Sequence, residues 1–249
     1  MIVHSARELE ERFEELGPGD MILGPLGAKY VRGPLAADLL ERGVRCVPSV
    51  LCQLLSRSKC AQALILQRWM APHTLVISRR AELMEAVSYF ARNGIDRVVS
   101  KQEKMHCGHG IRRWENAEAL YNAVAFTDHA FPFVLQPFMA DMSDVRVILV
   151  GDYVEAYLRE NLYNFRANLA VGGASRPLSM DAEAKAFCRA AMARGRFPYA
   201  HIDLQLAERG GCYLSEITLD AGISAARISR QELNRRKREV LEKEAGKMT

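Results

Sequence analysis

Two isolated carboxylates near the carboxyl end carry the clearest chemical signal in this chain. His201-Ile202-Asp203-Leu204 is followed by Cys212-Tyr213-Leu214-Ser215-Glu216-Ile217-Thr218, two short apolar runs that each hold one acid. Strand side chains alternate faces with a period of two, so Asp203 and Glu216 can share one side while Ile202, Leu204 and Ile217 enter a core. Hard cations such as Mg²⁺ bind through one or two carboxylates plus the phosphates of a substrate, so this floor suits a metal-bound nucleoside triphosphate. Two solvent-facing acids on a hairpin are the plainer alternative, because acidic side chains are mostly exposed.

The segments upstream weigh on that choice. Val98-Val99-Ser100-Lys101 ends a β-branched run on a lysine, and Gln102 to Ile111 follows as a loop with Gly108 and Gly110, where the absence of Cβ lets backbone approach an anion. Phe133 to Met139 is an apolar strand running into a hinge-like segment. Asp144 to Arg159 reads as a hairpin turning at Gly151-Asp152, and Asn164 to Gly173 precedes a helix and then the two acid-bearing strands.

Each segment alone is common, but their order and gaps together resemble the ATP-grasp superfamily. The similarity is strongest to its RimK-like branch, the ligases that add glutamate to a ribosomal protein and their glutathione synthetase relatives, and it covers roughly residues 40–225. The resemblance implies an α+β ATP-grasp fold, two α+β lobes holding ATP between them behind a shortened Rossmann-like piece. On that pattern residues 1–72 form the shortened pre-ATP-grasp region, 73–139 the small lobe, and 140–249 the large lobe with the metal site and a C-terminal helix.

The same resemblance assigns roles. Lys101 matches the lysine that reaches the phosphates, and Ser58-Lys59 matches the family's Asp-Lys, which makes Lys59 a second phosphate-facing lysine. Gly108 and Gly110 match the phosphate-covering loop. Gln136, Pro137 and Phe138 fall at the hinge that meets adenine, where Pro137 lacks an amide and is expected to remove one hydrogen bond. Asp144 matches a nucleotide-contacting acid, and Arg166, Ala167 and Asn168 match an Arg-Ser-Asn stretch facing phosphate and metal. Asp203 and Glu216 match two metal ligands. The third departs, because Thr218 stands where the branch has asparagine, with Asp220 nearby as a substitute ligand.

The implied chemistry is an ATP- and Mg²⁺-dependent ligation, with Mn²⁺ as an alternative ion. A carboxylate attacking the γ-phosphoryl group sets anion against anion, and Lys101, Arg146 and Arg166 would spread the developing charge. An amine, or a thiol, then displaces phosphate from the acyl phosphate. The expected substrates are a small-molecule or peptide carboxylate and an amine acceptor, joined by a C–N bond. No covalent nucleophile is needed, and His106, His109, His129 and His201 have no Ser or Cys partner at a recognisable spacing; His201 is kept as a site-lining candidate on the face of Asp203. Two other classes remain open, a degenerate ATP-grasp protein that binds nucleotide in a regulatory role and a basic nucleic-acid or protein-binding module.

Composition is that of a cytoplasmic enzyme. With 249 residues, 49% of them hydrophobic, the chain can bury one large or two small cores. No signal peptide and no apolar stretch near the ~20 residues of a membrane span are visible. Cys46, Cys52, Cys60, Cys107, Cys188 and Cys212 are scattered with no zinc spacing, which predicts reduced thiols, Cys107 being the most activated by its basic loop. The net charge of +4 does not argue for nucleic acid, and a homo-oligomer is left open. Arg227, Arg230, Arg235, Arg236, Lys237 and Arg238 crowd the start of a final helix of mixed charge, capped by Ser229, which reads as a solvated face or, through its basic first half, as a guide for an anionic substrate.

The elements that must position these residues read compactly. An amphipathic helix runs from Ser5 to Leu16, a short strand at Met21-Ile22-Leu23, a helix from Leu35 to Arg42, a strand over Val44 to Pro48, and one helix from Ser49 to Met70. Strands at Thr74 to Ile77, before Lys101 and at Ile111 to Trp114 alternate with helices at Ala81 to Arg92 and Ala117 to Phe126, and a helix at Ala182 to Arg194 precedes the acid strands.

Overall fold

The computed structural model describes the chain apart from residues 32, 106–107, 128–129, 168–171, 208–210 and 247–249. Expectations placed on Asn168, His106, Cys107 and His129 therefore lie outside the described residues.

The amino-terminal part contains β1 (Ile2–Val3), α1 (Ala6–Arg12), β2 (Met21–Leu23), α2 (Ala28–Val31), α3 (Pro34–Glu41) and β3 (Arg45–Val47), and its three strands pair in parallel in that order. Ser5 caps α1 by accepting from the Glu8 amide, as its position before an apolar period predicts. The single helix expected from Ser49 to Met70 is instead α4 (Val50–Leu55), α5 (Lys59–Ile65) and a 3₁₀ turn at Gln67–Trp69. The reason is a second capping serine: Ser49 accepts from Cys52 N, and Ser58 accepts from Ala61 N and starts a new helix.

A four-stranded sheet follows, built from β4 (Leu75–Ile77), α6 (Arg80–Arg92), β5 (Val98–Gln102), β6 (Ile111–Trp114), α7 (Ala117–Val124) and β7 (Phe133–Pro137), with strand order β4-β7-β5-β6. The last part holds β8 (Met142–Val150), β9 (Tyr153–Glu160), β10 (Ala174–Leu178), α8 (Ala182–Gly195), β11 (Tyr199–Ala207), β12 (Cys212–Thr218) and α9 (Arg230–Gly246). Its five strands form an antiparallel sheet in the order β10-β9-β8-β11-β12. The sequence reading missed β1, α2 and β10. The first two are very short, and β10 is an edge strand containing Pro177, a residue that cannot donate to a ladder.

The largest core fills one face of the five-stranded sheet with Val145, Val147, Leu158, Ile202, Leu204 and Ile217, and reaches Met21 and Val47 of the parallel sheet and Leu233 and Leu241 of α9. A second core, with Ile77, Leu83, Phe90, Val98, Leu120 and Phe133, lies under the four-stranded sheet. The cleft between these two sheets is where the chemistry-bearing residues meet. Among the described residues no helix is long and apolar enough to cross a membrane.

Candidate active site

Antiparallel pairing places Asp203 directly opposite Glu216 and His201 opposite Thr218. The register then slips: Leu204 pairs with Leu214, so Ser215 is an extra residue in β12. A bulge of this kind bends a strand and re-aims a side chain. Ser215 accordingly meets Lys101 across the cleft, the ammonium donating to its hydroxyl at 3.1 Å and lying 3.5 Å from its carbonyl. Lys101 is only 8% exposed, and burial pulls its pKa down, a pull that Glu216 opposes.

Asp203 lies at the centre of a charge network. Arg146 grips it with two bonds, Nε to Oδ1 at 2.7 Å and Nη2 to Oδ2 at 2.8 Å, while Arg159 Nη2 reaches Oδ2 at 2.9 Å. Arg159 also donates through Nε to Asp144 at 2.5 Å. Burial resists the Asp203 anion, yet the two guanidiniums outweigh it and hold its pKa at about 2. Burial also resists the Arg146 cation, and Asp203 nevertheless pushes its pKa up. Asp144 goes the other way, raised by burial more than Arg159 lowers it.

Glu216 is the more open acid, with Lys59 Nζ 3.9 Å away. Lys59 donates to the Met105 carbonyl at 2.6 Å, and the Glu103 carboxylate accepts from Cys60 N at 3.1 Å, so the start of α5 is tied to the glycine loop. Gly110 is required there, since a Cβ would sit 2.6 Å from Met105 Cβ. Gly108 adopts φ +80°, a left-handed value that favours glycine. On the other side Arg166 donates to the carbonyls of Ile111 and Gly108, the latter at 3.1 Å. Lys59 and Arg166, two of the cations expected at the phosphates, thus rest on main-chain carbonyls in this state.

Two cavities adjoin across this network. One of about 380 Å³ contains Lys59, Arg146, Asp203, Glu216, Thr218 and Asp220. The other, about 500 Å³, has apolar walls from Val99, Pro137, Phe138, Met142 and Phe165, with Lys101, Gln136, Asp144, Glu160, Arg166 and Ala167 also lining it. Ile111, Asp144, Arg159 and Ser215 line both. Phe138 and Phe165 stand edge to face at 6.1 Å, and the Arg113 guanidinium lies 5.2 Å from one ring and 5.3 Å from the other. The amide after Pro137, Phe138 N, donates to the Arg97 carbonyl at 2.8 Å and continues the β5–β7 ladder. The Gln136 amide is committed to Thr74 Oγ1 at 2.8 Å and is 4% exposed. A third cavity, about 940 Å³, meets the first at Ser56, Thr218 and Asp220 and reaches His4 and Gly24 at the carboxyl edge of the parallel sheet.

Residues 56–235 match the family described as the RimK-like ATP-grasp domain. This chain belongs to that family. Glutathione synthetase of Parasynechococcus marenigrum (strain WH8102) is 33% identical over 177 residues, which is 67% of this chain and 54% of that relative, so the chain spans about half of the relative's length. Among solved structures, D-cycloserine synthetase DcsG superposes with a TM-score of 0.66 at 14% identity, covering 90% of this chain and 83% of the other. D-alanine–D-alanine ligase of Bacillus anthracis complexed with ATP gives 0.65 at 13% identity over 98% of this chain and 86% of the other. These structures share the ATP-grasp fold with this chain.

Mg²⁺ can bind through one or two carboxylates with water and phosphate oxygens completing its shell; of the two acids here Glu216 is the open one, and both Asp203 oxygens already accept from guanidiniums. Among the described residues no group of three or more His, Cys, Asp and Glu side chains gathers to hold a metal. The Thr218 hydroxyl is engaged on every side: it donates to the Asp220 carbonyl at 3.0 Å, accepts from Asp220 N at 3.3 Å and lies 3.0 Å from Ser56 Oγ. The Asp220 carboxylate is likewise held, by Arg230 at 2.9 Å and Lys237 at 3.1 Å. His201, kept as a site-lining candidate, is 1% exposed on the Asp203 face of β11, with Nε2 3.9 Å from Asp220 Oδ1.

Sequence reasoning overlooked Arg159 and Ser215. The signal for Arg159 was available: a tight turn at Gly151-Asp152 pairs Val150 with Tyr153 and, counting back, Asp144 with Arg159. Ser215 depends on the bulge, which no local pattern announces.

Proposed function

We propose that this protein is an ATP-dependent ligase that activates a carboxylate as an acyl phosphate and joins it to an amine. The observation that carries this reading is the junction of the two smaller cavities at Asp144 and Arg159, one walled by aromatic rings and the other floored by Asp203 and Glu216. A base between Phe138, Phe165, Val99 and Met142 would send its phosphates past Lys101 toward the acids. The division into residues 1–72, 73–139 and 140–249 belongs to the same reading.

Asp203 and Glu216 would hold Mg²⁺, which supplies charge neutralisation to the phosphates when bound. Lys101 is preorganised for phosphate by Ser215, and its burial strengthens each contact that it makes. Lys59 and Arg166 would exchange loop carbonyls for phosphate oxygens, which are stronger, charged acceptors. The donor carboxylate oxygen attacks the γ-phosphorus and the β–γ bridging bond breaks, giving acyl phosphate and ADP. The amine then attacks the acyl carbon, the C–O bond to phosphate breaks, and the ammonium proton leaves with phosphate or solvent. The 940 Å³ cavity beside Thr218 and Asp220 is the approach for the acceptor.

Hydroxylamine tests this reading without knowledge of the natural amine, because it captures acyl phosphates as hydroxamates. With Mg²⁺ and ATP, a panel of mono-, di- and peptide carboxylates is expected to include one that gives hydroxamate and ADP in equal amounts. Tight ATP binding with no hydroxamate or ADP from any carboxylate would favour the nucleotide-binding regulator, a reading supported by the full engagement of Thr218.

A further inference from the structure

The segment after the second acid, Leu219 to Gly222, has no regular secondary structure, so its carbonyls must find partners elsewhere. Cationic side chains supply them. Lys237 Nζ donates to the Leu219 carbonyl at 2.9 Å, Arg230 Nη2 to that of Ala221 at 3.0 Å, and Arg146 Nη1 to that of Gly222 at 3.3 Å. Between them, the Asp220 carboxylate receives Arg230 and Lys237 on the same oxygen. Arg146 is also the residue that grips Asp203 with two bonds. A continuous chain of contacts therefore runs from α9, through residues 219–222, to the floor of the cleft.

Lys237 is the unusual member. The buried residues of α9 are Leu233, Lys237, Leu241 and Ala245, spaced every four residues along one stripe. A leucine or methionine at 237 would continue that stripe with no charge to desolvate, whereas a buried ammonium is costly unless paired and hydrogen-bonded. Its ammonium also lies 5.1 Å from the Tyr199 ring at the start of β11, so its position is fixed from both sides.

We infer that Lys237 is a positioning residue for the metal–nucleotide site: from the last helix it fixes residues 219–222, and through Gly222 and Arg146 it fixes the orientation of Asp203. The inference rests on the ligase reading for the role of Asp203, and it assigns to α9 a part that solvated basic helices do not have. The consequence is selective. Nucleotide held by its base and by Lys101 is indifferent to Lys237, while the additional affinity conferred by Mg²⁺ depends on it.

The test measures ATP binding by calorimetry on the full chain, with EDTA and with Mg²⁺ varied, in wild type, Lys237→Met, Lys237→Arg, Arg230→Gln and the exposed control Lys243→Gln. The expected result is unchanged affinity in EDTA for all five. In Lys237→Met the Mg²⁺ concentration for half-maximal tightening rises about tenfold or more, the usual effect of losing a group that orients a metal ligand. Arg230→Gln moves in the same direction by less, Lys237→Arg recovers part of the loss, and Lys243→Gln matches wild type. Equal Mg²⁺ dependence in wild type and Lys237→Met overturns the inference, as does a parallel loss of affinity in EDTA, which would mark Lys237 as merely structural. If Lys237→Met fails to fold, Arg230→Gln decides the matter alone, and wild-type behaviour there overturns the inference. A wild-type protein whose ATP binding ignores Mg²⁺ removes the ligase reading itself, a failure distinct from the others.

Discussion

The two smaller cavities of the cleft are built on opposite principles. The proposed base pocket takes its aromatic wall from Phe138 packed on Phe165, with the Arg113 guanidinium close to both rings, and Gln136, Glu160 and Arg166 line it as well. The proposed phosphate floor is made of charges that already satisfy one another, with Asp203 bound by Arg146 and Arg159 and Lys59 held on the Met105 carbonyl of the glycine loop. A base enters by displacing water, but phosphate must displace protein partners. Packing should therefore dominate affinity for the nucleoside, and partner exchange should dominate what the phosphates add.

The strongest way to break this contrast is Asp203→Asn. The acid is 6% exposed and balances the buried guanidinium of Arg159 and the partly buried one of Arg146, so its neutral replacement leaves both under-paired. Losing one partner of a buried ion pair costs about 3–5 kcal/mol. Urea unfolding should register that cost together with the loss of Mg²⁺-dependent turnover, whereas wild-type stability in the variant would show that the floor is solvated rather than self-satisfied.

A pH experiment probes the covered end of the same sheet face. Burial holds the His201 pKa down at about 3, and neither ring nitrogen has a hydrogen-bond partner among the described residues. The unfolded chain, with an ordinary histidine near 6.5, then takes a proton that the folded protein refuses. His201's contribution is complete above that value and is lost as pH falls toward 3. From about pH 5.5 to 4 wild type should lose about 1.4 kcal/mol per pH unit more than His201→Leu. Parallel pH profiles would mean that the ring gains water or a partner.

Lys101→Ala sharpens the comparison within the cleft. ATP binding should weaken by about 1.5–3 kcal/mol, the usual loss of a charge-assisted hydrogen bond, and adenosine binding should change little. Equal weakening of both ligands would make Lys101 part of the scaffold through its contact with Ser215.

Phe165→Ala should give the smallest and least selective effect. Removing one ring of the edge-to-face pair is expected to weaken ATP and adenosine alike by about 1 kcal/mol. An effect confined to ATP would mean that Phe165 acts by holding Arg166, whose guanidinium lies 4.3 Å from its ring centre.

Within the floor itself the sequence disclosed some pairings and hid others. The opposition of Asp203 and Glu216 followed from alternation along two apolar strands, and the turn at Gly151-Asp152 carried the pairing of Asp144 with Arg159. Both are short-range regularities of backbone geometry. The engagement of Thr218 by Ser56, of Lys59 by Met105 and of Asp220 by Lys237 joins residues far apart in the chain, which periodicity cannot reach. The break between α4 and α5 lay in plain view as Ser58, but the surrounding apolar period concealed it.

The one-residue bulge in β12 changes how that strand tolerates substitution. A regular strand with one buried face alternates between exacting and permissive positions. With Ser215 displaced from the ladder, Ser215 and Glu216 both line the phosphate cavity, so two consecutive positions answer to the ligand while Leu214 and Ile217 on either side answer to the core. From 214 to 217 the strand has no free position. Random change is filtered there almost residue by residue, and deletion of Ser215 alone would restore regular alternation while removing the hydroxyl that meets Lys101.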